Sequence, residues 1–165
     1  MEFTDFKNHH IEGFAHMGNT PFSMPLLSEI EPGFWQGGCP VGLAPKEFDF
    51  IINLYHPWGK YHTHDHQIVL NARLWDHADI PDERLLLMLA RYVNQCRRLG
   101  MTLVHCQAGL NRSALVAGLA LVESGMSGEQ AIKLLRDKRC EAVLCNSAFE
   151  NWLAGRNKAE LREAA

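Results

Sequence analysis

The sequence of 165 residues has no apolar run approaching the roughly 18 residues that a membrane-spanning helix needs. Met1 is not followed by a basic stretch and an apolar core, so no secretory leader is expected. Internal repeats, low-complexity tracts and linker-like composition are also missing, which leaves no sign of an array or a string of domains. Basic residues are not in excess. The formal charge is −3, so net charge gives no reason to expect attraction to nucleic acid or to an anionic membrane. The five cysteines are odd in number and lack metal-like pairing, which excludes a disulfide framework as the organising feature. They read as reduced thiols in a cytosol-like compartment, and a cytoplasmic location is the expectation.

What remains is 47% hydrophobic, enough for one globular domain with a substantial core. Residues 1–25 are polar and turn-rich and read as an extension, draped over the domain or loose; residues 26–165 read as the single domain. A first strand is expected around Phe34 to Gln36. Phe48 to Tyr55 is nearly all apolar, as a strand buried on both faces would be, and Gln67 to Leu74 is compatible with another. Asp79-Ile80-Pro81-Asp82-Glu83 predicts a helix start, with Asp79 as its cap, and Gly100 its stop. Ala114 to Val122 is apolar nearly all round and predicts a central helix. Ser127 to Gln130 and Ser147 to Glu150 read as capping boxes, the second opening a last helix toward Lys158. Strands come first and the helix-rich half last. The expected architecture is α/β, with a mostly parallel central sheet of four or five strands flanked by helices.

One run carries chemistry. His105-Cys106-Gln107-Ala108-Gly109-Leu110-Asn111-Arg112-Ser113 follows the apolar strand Met101 to Val104 and precedes the central helix. A short loop entering a helix turns successive backbone N–H groups toward one point, at the positive end of the helix dipole. A cysteine at such a point is expected to ionise, because the field that holds an anion also favours a thiolate. Arg112 supplies a planar fork of donors suited to phosphate oxygens. Gly109 suits a tight curve with amides pointing inward. The loop from Gln107 to Arg112 is therefore the candidate phosphate cradle, and Cys106 the candidate nucleophile.

This run resembles the His-Cys-x-x-Gly-x-x-Arg-Ser signature of the cysteine-dependent protein tyrosine phosphatases, and its surroundings resemble their small dual-specificity branch. Glu29 to Gly38 is similar to that family's opening strand, and Asn146-Ser147-Ala148-Phe149-Glu150-Asn151-Trp152-Leu153 to its closing helix. The resemblance implies attack by Cys106 to form a cysteinyl-phosphate, with no metal or cofactor and with a phosphorylated protein as partner. It implies that Ser113 donates a hydrogen bond to the departing sulfur, and that His105 supports the loop without transferring protons. It also implies a general acid on a separate loop upstream. In Leu74-Trp75-Asp76-His77-Ala78-Asp79-Ile80, Asp76 fits as the acid and Asp79 as the helix cap, though both are candidates on sequence. Trp75 is a candidate anchor for that loop.

Three rivals stand beside this reading. RNA 5′-triphosphatases of the same superfamily carry Gly-x-Asn-Arg-Thr, and Gly109-Leu110-Asn111-Arg112-Ser113 lies between that pattern and the dual-specificity one, which places a small residue where Asn111 stands. A phosphoprotein-binding pseudophosphatase would lack one of the cysteine, arginine and acid, all present here. A sulfurtransferase with a loop cysteine would not call for the upstream acid. The neutral Gln107, Ala108, Leu110 and Asn111 lack the lysines that phosphoinositide-directed relatives place in the loop. His62, His64 and His66 alternate and would share a face in a strand, but they read as a solvated edge rather than a metal site.

Overall fold

Ile51, Ile52, Leu103 and Val104 are inaccessible to solvent, and the two apolar runs that contain them become central strands of one sheet. The computed structural model describes residues 6–163. In chain order the elements are β1 (His10–Ala15), a 3₁₀ turn (Met17–Asn19), β2 (Thr20–Pro25), β3 (Leu27–Glu31), β4 (Phe34–Gly37), β5 (Gly42–Leu43), β6 (Phe50–Asn53), β7 (Tyr61–His62), β8 (Ile68–Asn71), α1 (Glu83–Leu99), β9 (Thr102–His105), α2 (Arg112–Glu123), α3 (Gly128–Lys138), α4 (Ser147–Ala154) and α5 (Lys158–Glu163). The main sheet runs β3-β4-β9-β6-β8. Its pairs are parallel except β3 with β4, which is antiparallel. This is the mostly parallel α/β architecture read from the sequence.

Successive side chains of a strand leave on opposite faces, and this alternation divides the core. Phe34, Ile52 and Val104 join the helices in one cluster. Their neighbours Trp35, Ile51 and Leu103 join a second cluster that contains no helical residue; Phe6, Ala44 and Phe48 cover it. Phe6, Trp35 and Phe48 meet there with ring centroids 5.5–5.9 Å apart. The helices thus gather on one face, and an aromatic plug seals the other. Helix α2 is the centre of the helical layer, with every side chain from Ala114 to Val122 buried.

Residues 10–25 form an antiparallel hairpin, β1 with β2. Its turn rests on Cys145: Gly18 has φ +76°, and a Cβ there would come within 2.5 Å of the Cys145 carbonyl oxygen. The Cys145 thiol donates to the Met17 carbonyl at 3.0 Å. The histidine run does not extend into a long strand. His64 and His66 each bond through Nε2 to a carbonyl, of Ala44 at 3.1 Å and Lys46 at 3.0 Å, and so fasten the loop that bears Phe48. Among the described residues no group of three or more His, Cys, Asp or Glu is placed to hold a metal ion.

Three local readings need correction. The N-cap of α1 is Asp82, whose carboxylate accepts from the Arg84 N–H at 2.8 Å, and not Asp79. Pro81 biases the residue before it away from helical conformation, so the helix opens only beyond the proline. The N-cap of α4 is Asn146, whose side chain accepts from Ala148 and Phe149 N–H, so Ser147 opens no capping box. That helix stops at Ala154, and α5 is a separate element. The box at Ser127 and Gln130 forms with both of its bonds.

Candidate active site

The candidate phosphate loop connects the end of β9 to the start of α2. In a trans peptide the carbonyl of one residue and the N–H of the next point opposite ways. Each loop carbonyl from Cys106 to Asn111 has a donor. Cys106 C=O takes His105 Nδ1–H at 3.1 Å, Gln107 C=O takes Cys39 N–H at 2.9 Å, and Ala108 C=O takes Arg139 Nη2 at 3.4 Å. Gly109 C=O takes both Gln36 Nε2 at 2.9 Å and Arg139 Nε at 3.2 Å. Leu110 C=O takes Leu144 N–H at 2.9 Å, and Asn111 C=O takes Leu115 N–H at 2.8 Å. With the carbonyls held by the surrounding scaffold, the amides of residues 107–112 are left to turn toward the concave side. The cradle inferred from sequence is therefore built from behind. Gly109 has φ +77° and backs onto the Gly37 backbone, so a side chain has no room there.

Arg139 is the main brace. Its guanidinium is buried, without a carboxylate partner among the described residues, and also bonds Gln36 C=O at 3.0 Å and Ser28 Oγ at 3.1 Å. Burial lowers its pKa to about 10, with the nearby thiols of Cys106 and Cys140 acting the other way, so it remains a cation at neutral pH. His105 is fully buried. Burial pushes its pKa down to about 4, against the opposing hydrogen bond to Cys106, so the ring is neutral. Its Nδ1–H serves the Cys106 carbonyl, and Nε2 accepts from the Tyr61 hydroxyl at 2.7 Å. Burial, then the neighbouring Cys39, hold Tyr61 well above the ordinary phenol range, so its O–H persists as that donor.

Cys106, Arg112 and Asp76 line one cavity of about 290 Å³. Cys106 Sγ lies 3.3 Å from Ser113 Oγ. Arg112 sits over Tyr55, with Cζ 5.1 Å from the ring centroid, and Nη1 reaches the Leu74 carbonyl at 3.5 Å. Its Nε is buried and has no protein partner, a donor of the kind an anion would satisfy. Both Asp76 oxygens are held: Oδ1 by Asn146 Nδ2 at 2.9 Å and Oδ2 by Asn111 Nδ2 at 3.0 Å. Asp79 is exposed and does not line the cavity. The geometry therefore brings together Asp76, and not Asp79, with the loop.

Sequence reasoning missed Gln36, Tyr61, Arg139 and the hairpin. Phe14, Ala15, His16, Met17 and Phe22 form one wall of the cavity. Gln36 did leave a trace, as the polar interruption of the apolar strand Phe34-Trp35-Gln36-Gly37. At the other edge, Trp58 and Trp75 meet edge to face at 5.2 Å, with Arg73 over the Trp75 ring at 4.5 Å. Trp75 is thus packed in an exposed cluster beside Asp76. All five cysteines are free, and burial, then the charge of Cys106, raises Cys39 to about 11.

Comparison with known proteins agrees with this geometry. Protein tyrosine phosphatase type IVA 3 of Mus musculus is 39% identical over 64 residues, a match covering 39% of this chain and 36% of the relative. The matched stretch thus spans about a third of that relative's length. The crystal structure of human tyrosine phosphatase-like serine/threonine/tyrosine-interacting protein superposes with a TM-score of 0.69 at 20% identity, covering 84% of this chain and 98% of that one. P. aeruginosa TpbA in complex with pTyr gives 0.64 at 19% identity, covering 84% and 89%. Those two likenesses speak for the fold. The family model described as dual specificity phosphatase, catalytic domain, matches residues 37–158. With the loop from Cys106 to Arg112 and the candidate acid inside that span, the chain belongs to the dual-specificity phosphatase catalytic-domain family.

Proposed function

We propose that the protein hydrolyses phosphomonoesters of phosphotyrosine proteins, and of phosphoserine and phosphothreonine proteins, through a cysteinyl-phosphate. The observation that carries this reading is the meeting of Cys106, Arg112 and Asp76 in one cavity, with the Arg112 Nε donor open. In the first step the Cys106 thiolate forms an S–P bond as the ester P–O bond breaks. Asp76 delivers its proton to the departing oxygen. Arg112 and the amides of residues 107–112 hold the equatorial oxygens while charge spreads over them. In the second step water attacks phosphorus, Asp76 takes a water proton, and the electron pair of the S–P bond returns to sulfur. The Ser113 hydroxyl, within reach of that sulfur, steadies it as it leaves.

No metal enters these steps, and five free thiols suit a reducing compartment such as the cytoplasm. Among the described residues no helix is long and apolar enough to cross a membrane. The test is a panel with chelator present: phosphotyrosine peptide, phosphothreonine peptide, phosphoinositide and triphosphate-ended RNA. Phosphotyrosine, the ligand named with P. aeruginosa TpbA, is the first to try. The expected result is turnover of the phosphopeptides. Turnover of triphosphate-ended RNA alone would transfer the site to the RNA 5′-triphosphatase reading, and binding without turnover to the pseudophosphatase one.

A further inference from the structure

Asn111 occupies the N-cap position of α2, and asparagine is among the best N-caps, yet its side chain makes no cap bond to that helix. The cap bond is left unmade, and the amide is used elsewhere. Its Oδ1 accepts from the Asn146 backbone N–H at 3.0 Å and lies 3.6 Å from the Cys145 thiol. A backbone N–H can only donate, so the oxygen is assigned to that side, and Nδ2 must face Asp76 Oδ2 at 3.0 Å. The side chain is buried. The second donor to Asp76, Asn146 Nδ2, is fixed in the same way: its own Oδ1 caps α4, and Nδ2 also serves the His77 carbonyl at 2.7 Å.

We infer that Asn111 is a positioning residue for the general acid, tying Asp76 to the phosphate loop before substrate arrives. The inference rests on the phosphatase reading above. A carboxyl group offers about four lone-pair directions, and the two amides occupy one on each oxygen. The proton of the acid form is confined to those left over. Asn111 thus sets which direction of the carboxyl is free to deliver a proton, as well as where the carboxyl lies. The loop that holds phosphate and the loop that holds the acid become one unit, anchored by the turn at residues 144–146. Leu144, at φ +60°, bonds the Leu110 carbonyl from that same turn.

Asn111→Ala and Asn111→Ser test this, with inhibition by inorganic phosphate as the check that the loop is folded. Three rates decide: kcat on a phosphotyrosine peptide, kcat on a nitrophenyl phosphate whose leaving group needs little protonation, and both in an Asp76→Asn background. The expected loss on the peptide is about 10–100-fold, part of the worth of a placed general acid, with a flattened alkaline limb in the pH profile. The nitrophenyl ester should lose less than about 3-fold, and Asp76→Asn should lose little more when Asn111 is also replaced, since residues acting through one another are non-additive. Equal losses on both esters would mean that the Asn111 side chain serves phosphate binding rather than the acid, and overturn the inference. So would losses that simply multiply in the double variant, or no loss at all. If Asn111→Ala no longer binds phosphate, Asn111→Ser, with its small polar side chain, carries the same comparison. Wild-type protein inert toward both esters would instead sink the phosphatase reading itself.

Discussion

The side-chain amide of Gln36 donates to the Ser113 hydroxyl oxygen at 2.6 Å. That bond makes Ser113 Oγ an acceptor on one side and leaves its proton for Cys106 Sγ at 3.3 Å or the Gly37 carbonyl at 3.4 Å. Gln36 Oε1, meanwhile, is buried with no partner. A buried acceptor left alone costs about 1–3 kcal/mol, so this amide is kept at a cost to stability. Gln36→Leu removes that unpaired oxygen but also the donor to the Gly109 carbonyl and to Ser113, so thermal stability should change little or fall while turnover slows. If breakdown of the proposed cysteinyl-phosphate depends on the hydroxyl, rapid-mix kinetics should show a product burst followed by a slow steady state. A fall in burst rate with no change in the later phase would show that Gln36 acts on thiol attack instead.

Cys106→Ser should abolish hydrolysis and keep affinity for phosphate, since the amides and Arg112 stay in place. Arg112→Lys should lose both, because an ammonium cannot reproduce the two-pronged contact of a guanidinium. Turnover by Cys106→Ser near the native rate would exclude a covalent mechanism.

The two candidate acids separate by leaving group. Asp76→Asn should slow phosphotyrosine hydrolysis by about 10²–10⁴-fold and a nitrophenyl phosphate far less. Asp79→Asn should be nearly silent in rate and in stability, because Asp79 neither lines the cavity nor caps α1. Asp82→Ala should lower stability in urea unfolding through loss of the N-cap, with activity intact. A crippled Asp79→Asn enzyme would reverse the assignment.

His105 predicts a pH dependence of stability. Its pKa falls from 6.5 to about 4 on folding, so between those values the unfolded chain binds a proton that the native ring refuses. Stability from this group is therefore complete above pH 6.5 and is lost as pH falls toward 4. At about 1.4 kcal/mol per pKa unit the loss is on the order of 3 kcal/mol. Urea titrations between pH 7 and 5, where few carboxylates titrate, should show this slope in the native protein and not in His105→Gln. A flat native profile would mean that the ring takes up its proton as readily in the folded chain as in the unfolded one.

The readable parts of this molecule were the local ones. Cys106, Arg112 and Ser113 are close in sequence, so one run of residues carried the loop, and the apolar runs at Phe50 to Asn53 and Thr102 to His105 carried the sheet. Asp76 was legible from its place after a strand. Gln36 and Arg139 were not, because their role exists only through partners brought in by folding: Gln36 meets Ser113 across 77 positions, and Arg139 meets Gln36 across 103. The hairpin was hidden for a different reason. Its strands are largely exposed and carry few buried side chains, among them Ala15 and Met24, so no amphipathic pattern marks them. At α1 the reading of Asp79 as the cap overlooked the proline's constraint on its predecessor, which moves the helix start to Asp82.

The hairpin turn reaches its seat on Cys145 across 128 positions. During synthesis the wall of the cavity emerges well before the turn it docks on. The two strands can pair locally within microseconds, yet their docking waits for the long loop to close. The cavity is thus completed late in folding, by joining two distant parts of the chain. The same economy holds in the finished protein: a segment with so little buried surface detaches at a fraction of the global unfolding free energy. Amide exchange from residues 10–25 should then outpace that of β9 and α2, so the doorway to the thiol should open more readily than the loop behind it.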